Sequence, residues 1–180
     1  MFTKRTFIVL AFLFTLPAAS VSVSAQQPQI PTLQVCNRTR AQGQGLVRIN
    51  SRDDAVTTGS FQVTINLRCN PQETPYPVGE FRLLAISMSD SSVQGNLIST
   101  TVEQVTTTGK HTPTVFLNGR CQAQNVPGCR FWAMLADNKP VGAGTPDIVS
   151  FLIFNGSGER VAYGTGPVVQ GNIEVEDTSN

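Results

Sequence analysis

Charge is scarce in this chain: charged residues occupy 14% of its 180 positions, against roughly 25% in an ordinary soluble domain. The formal net charge is only +1, so no electrostatic case arises for nucleic acid or for an anionic lipid surface. Histidine is rarer still, with His111 alone, in a polar Thr-Thr-Gly-Lys-His-Thr-Pro stretch that reads as an exposed loop. A serine or cysteine triad would have to take that residue as its base, and no Gly-x-Ser-x-Gly elbow supplies a nucleophile. Closely spaced cysteine pairs are missing too: the four cysteines lie 33, 52 and 8 residues apart, which is not the spacing of a metal site. No metal and no cofactor is expected. The longest apolar run, Phe7 to Leu16, falls well short of the roughly 20 residues a membrane-spanning helix needs. Sustained 3.6-residue periodicity is absent, which argues against long helices.

The N-terminus has the three parts of a secretory signal. Lys4 and Arg5 are followed by the apolar run, by Pro17, and by the small-residue stretch Val23-Ser24-Ala25. The expected organisation is a cleaved signal peptide over 1–25, an extended Gln- and Pro-rich leader over 26–33, and a single domain over 34–180. The 155 residues left after cleavage carry eleven basic and twelve acidic side chains, and can bury a sizeable core. Secretion, or export to a periplasm, follows as the expected location.

All four cysteines lie beyond the signal, where an oxidising compartment would pair them. Cys121 and Cys129 flank Asn125, Pro127 and Gly128, turn-forming residues that bring the two ends together, so this pairing is expected. Cys36 with Cys69 follows by elimination.

What is plentiful is β signal. From Phe61 to Cys69 the residues Phe61, Val63, Ile65, Leu67 and Cys69 alternate with Gln62, Thr64, Asn66 and Arg68, giving one buried and one wet face. This places Cys69 inward. Three other segments, Glu80 to Met88, Arg130 to Ala136 and Ile148 to Phe154, are apolar on both faces and read as central strands covered twice. Further strands are expected near Leu46 to Asn50, Leu97 to Val105, Thr114 to Leu117, Arg160 to Tyr163 and Val168 to Glu176. Turn signals separate them, among them Asn70-Pro71, Pro75-Tyr76-Pro77, Gly164-Thr165-Gly166 and Asn155-Gly156-Ser157-Gly158. About 8–10 strands at this spacing predict an all-β, two-layer antiparallel β-sandwich, with immunoglobulin- or fibronectin-III-like and jelly-roll topologies both open.

Candidate functional residues are few. A glycosidase-type carboxylate pair is conceivable in a β fold, yet acids such as Asp53, Asp54, Glu73, Asp90, Asp137, Asp147 and Glu159 fall at turns or strand ends, where solubility and turn-making explain them. Sugar binding asks for exposed rings. Trp132, with Phe131 and Met134 around it, reads as core, which leaves Tyr76 between two prolines as the best exposed ring. Arg68, Arg120 and Arg130 each adjoin a cysteine, as alternation next to an inward residue dictates, and would form a basic patch if their strands met. Six threonines between Thr100 and Thr112 offer a polar surface for water or for another chain. Two sequons begin at Asn37 and Asn155.

These residues predict an exported, non-catalytic β-sandwich with a binding, accessory or cell-surface role. Tyr76 and His111 are its candidate binding surface, an unidentified protein or surface ligand is its partner, and neither nucleic acid nor a membrane span is involved. Two alternatives stand beside it: a small secreted hydrolase using a carboxylate pair, and a protein-binding, inhibitor-type domain displaying the Tyr76 turn or the Cys121–Cys129 loop.

Overall fold

Alternation from Phe61 to Cys69 dictates an extended strand with one apolar face, and a strand of that kind surrounds it. The computed structural model describes residues 36–49, 58–90, 96–138 and 144–177, which belong to one unit spanning Leu33–Asn180. The signal peptide, the leader, Asp53, Asp54 and the stretch 139–143 lie outside the described residues. Eight strands follow in chain order: β1 (Thr39–Ile49), β2 (Thr58–Cys69), β3 (Val78–Asp90), β4 (Leu97–Thr108), β5 (Thr114–Ala123), β6 (Arg130–Ala136), β7 (Ile148–Phe154) and β8 (Arg160–Asp177). Each pairs antiparallel with its neighbour in sequence, and β8 pairs with β1, closing a barrel.

The all-β expectation holds and the two-layer sandwich does not. The difference lies in β8. Its first half pairs with β7 as far as Pro167, and its second half, from Val168 to Asp177, pairs with β1. One continuous strand therefore spans the closure. Reading Gly164-Thr165-Gly166 as a turn cuts that strand in two and leaves the sheet open. The glycine has another cause: a Cβ at Gly166 would lie 2.1 Å from the Arg48 carbonyl oxygen, so β8 crosses toward β1 in backbone contact there.

The inward residues fill the barrel. Phe81 stacks on Phe131 with centroids 5.6 Å apart, and Phe61 meets Phe151 edge-on at 5.8 Å. All four rings are buried, as are Val63, Ile65, Leu67, Leu117, Leu135 and Ile173. An eight-stranded barrel can be filled by side chains of this size, and these buried residues fill it. Outward positions on β2 are Gln62, Asn66 and Arg68, and on β8 Glu174 and Glu176, all exposed.

Strand alternation assigns the connections to two ends. The β2–β3, β4–β5 and β6–β7 connections share one end with the start of β1, and the β5–β6 and β7–β8 turns share the other. At the first end Cys36 bridges in parallel to Val105 and forms a disulfide with inward Cys69, their Cα atoms 6.1 Å apart. Asn37 donates through Nδ2 to the Thr107 carbonyl and accepts from the Thr107 N–H, both at 2.9 Å. The Thr39 and Thr107 hydroxyls meet at 2.6 Å, so the buried polar groups under this segment are satisfied. Nearby, β8 overshoots β7, and two aspartates from the β6–β7 connection take over as acceptors. The Ile173 N–H donates to buried Asp147 Oδ2 at 2.9 Å and the Val175 N–H to Asp137 Oδ2 at 3.1 Å.

Candidate functional site: an aromatic and cationic groove on the outer wall

A closed barrel has one inside, so a strand that is apolar on both faces must show one of them to solvent. That is the fate of the three segments expected to be covered twice. On β3, Ile86 is 61% exposed; on β6, Trp132 is 58% exposed. Trp132, expected in the core, lies on the outer wall. Its neighbours in sequence, Phe131 and Ala133, are the ones that point inward and are buried.

Register assembles the outward residues into rows. Gln104, Asn118, Trp132, Leu152 and Tyr163 are successive cross-strand partners from β4 to β8. Next to them run Thr101, Arg120, Arg130, Phe154 and Arg160. Side chains opposite one another on one face of a sheet lie about 5 Å apart, so a ring-rich row flanks a guanidinium-rich one. Phe116, 45% exposed, extends the apolar side, and the Arg160 guanidinium sits 4.3 Å from the Tyr163 ring centroid.

At the β5–β6 end these rows border an open groove of about 670 Å³, within the ~300–1,000 Å³ typical of ligand sites. Trp132 and Phe154 line it with Arg120 and Arg130, and the Cys121–Cys129 disulfide and the Asn155–Gly158 turn complete its wall. The disulfide forms as expected, with Cα atoms 5.0 Å apart. The loop it closes is docked on the β7–β8 turn, where the Gly156 N–H donates to the Pro127 carbonyl at 2.9 Å. Gly128 has φ of +65°, and a Cβ there would lie 2.7 Å from Gly156 Cα, so glycine is required on both counts. Asn155 Oδ1 accepts from the Ser157 and Glu159 amides at 3.1 and 2.9 Å, an Asx turn that rigidifies the rim. A bulge in β4 between Ser99 and Thr101 places exposed Thr100 at the edge of the groove.

The electrostatics turn on one carboxylate. Glu103 accepts from Arg120 Nε at 2.9 Å and from Arg130 Nη2 at 3.4 Å. The arginine side chains are 65% and 57% exposed, and ion pairs that wet contribute ~0–1 kcal/mol, so stability does not account for them. Each guanidinium has five N–H donors and Glu103 engages one of each.

Compared with protein-family models, curated proteins and solved structures, this chain matches none.

The residues singled out in the sequence are distributed unevenly. Tyr76, 65% exposed, sits in the β2–β3 turn and His111, also exposed, in the β4–β5 turn, both at the end of the barrel away from the groove. Arg120 and Arg130 are brought together as cross-strand partners; Arg68 stays apart on β2, opposite Arg40. Both sequon asparagines have their side-chain amides engaged, Asn37 with Thr107 and Asn155 with Glu159 at 3.2 Å. Asp137 and Asp147 approach the same stretch of β8, but each takes a backbone amide as donor. Among the described residues no three of His, Cys, Asp and Glu are grouped to hold a metal. Trp132, Phe154 and the Asn155–Gly158 rim are what the sequence reading missed. The signal was present in the two-sided apolarity of β6 and β7, and only the closure of the barrel gives it this meaning.

Proposed function

We propose that this protein is an exported, non-catalytic binding protein that holds its ligand on the outer wall of the barrel, in the groove lined by Trp132, Phe154, Arg120 and Arg130. The observation that carries the reading is Trp132, the chain's one tryptophan, held 58% exposed in the middle of a rigid strand. A large apolar ring at a strand centre adds little to folding when water covers most of it, and clustered exposed apolar surface marks interaction sites. Rigid sheet positions with a loop stapled by a disulfide make a preorganised surface, which lowers the entropy cost of binding. The barrel interior is packed with side chains, which favours the wall over the lumen as the place of recognition.

Export is supported by the two disulfides, which are consistent with an extracellular or periplasmic location. An interior packed with apolar side chains, and a wall on which exposed polar and charged residues such as Gln62, Asn66, Arg68, Glu174 and Glu176 stand among the exposed apolar ones, differ from the polar lumen and continuous apolar band of a lipid-embedded barrel, which favours a water-surrounded protein. The reading needs neither cofactor nor metal.

The test is an array of immobilised glycans and peptides probed with the native chain and with Trp132→Ala. Binding that disappears in Trp132→Ala, with an unchanged unfolding midpoint, is the expected result. Binding that survives this change and is lost instead on replacing Tyr76 or His111 would move the site to the other end of the barrel and overturn the reading.

A further inference from the structure

The groove's chemistry narrows its occupant, given the outer-wall reading above. We infer that it binds a carboxylated saccharide, a uronate-bearing oligosaccharide, with one pyranose ring on the Trp132 indole and its carboxylate on Arg120 and Arg130.

The indole presents a flat apolar face, which matches the C–H face of a pyranose ring. At its edge the exposed Thr100 hydroxyl is suited to a sugar hydroxyl, while the Asn155–Gly158 turn, whose side-chain amide and Gly156 and Gly158 N–H groups are hydrogen-bonded within the rim, bounds it as a fixed wall. Beside it stand two guanidiniums that share a single carboxylate, Glu103. Two positive charges against one negative leave the cluster with one unit of positive charge. That complements one carboxylate per bound sugar rather than a track of phosphates, for which several more cationic contacts would be needed. Guanidinium is also the side chain that pairs with a carboxylate through two parallel N–H···O bonds. The groove is open along the wall, so a chain can lie across it toward Leu152 and Tyr163, which follow Trp132 in the same cross-strand row, with Arg160 stacked over Tyr163.

Isothermal titration of the full chain with a galacturonate oligosaccharide and with the neutral galactose oligosaccharide of equal length tests this. The uronate is expected to bind at least about tenfold more tightly than the neutral sugar, with an affinity that falls as salt rises. Arg130→Gln and Arg120→Gln are each expected to erase that preference, lowering uronate affinity at least about tenfold and the neutral sugar's affinity by much less. Trp132→Ala is expected to abolish both, and Trp132→Phe, which keeps a ring, to retain part of each. Thermal melts of every variant separate loss of the site from loss of the fold. Equal affinity for the two sugars, no affinity for either, indifference of uronate binding to the arginine changes, or tighter binding of a single-stranded oligonucleotide or an acidic peptide would each overturn the inference. If uronate fails while some other arrayed ligand binds in a Trp132-dependent way, the ligand class is wrong and the outer-wall site stands; if no binding depends on Trp132, both fall.

Discussion

Two adjacent residues carry opposite tasks on β6. Phe131 is fully buried against Phe81, while Trp132 faces out. Removing a buried phenylalanine ring costs ~3–5 kcal/mol, so Phe131→Ala is expected to lose about that much in urea unfolding. Trp132→Ala is expected to stay within about 0.5 kcal/mol of the parent, as surface changes do. At this scale the sequence was legible where alternation is strict: Cys69 points inward as its pattern requires, and both disulfide partners are the expected ones. Trp132 was not legible, because the segment Arg130 to Ala136 gives each face apolar residues and local pattern cannot say which face has a partner.

Among the elements, β8 shows why the fold class was half legible. Strand content and most strand positions follow from alternation and turn chemistry, yet closure depends on whether Gly164–Pro167 bends or runs on. That choice is made by a contact with Arg48, far away in sequence. Closure also leaves a weaker joint. Among the described residues the β3–β4 ladder has the pairs Arg82 with Ile98 and Leu83 with Leu97 and no others. Beside it, side chains stand in for backbone: the Phe81 N–H donates to Ser99 Oγ at 2.8 Å and the Ala85 N–H to Asn96 Oδ1 at 3.2 Å. Hydrogen exchange is expected to be faster at Phe81 and Ala85 than at the β1–β2 amides, and equal protection would argue against a soft seam. The two disulfides should differ in worth, since the loop each closes differs in length. Chain-entropy reasoning gives about 3.7 kcal/mol for the 33-residue separation of Cys36 and Cys69 and about 2.5 for the 8-residue separation of Cys121 and Cys129. Paired serine substitutions followed by denaturant unfolding are expected to rank in that order.

For the molecule as a whole, the scarcity of charge, histidine and close cysteine pairs led toward recognition rather than catalysis, and the groove is where the proposed recognition would take place. Alternation and the spacing of turn signals were enough for the all-β class. The site was beyond their reach, because Trp132, Phe154, Arg120 and Arg130 meet only when three strands, β5 to β7, are laid side by side in one wall. The most direct test of that wall is the fluorescence of Trp132, which is the only tryptophan and so reports without ambiguity. In the native chain its emission is expected at long wavelength, close to that of the unfolded protein. Iodide is expected to quench it more strongly than caesium, because Arg120 and Arg130 draw an anion to the ring. A blue-shifted emission that neither ion reaches, moving to the red only on unfolding, would place Trp132 in the core and contradict the outer-wall site.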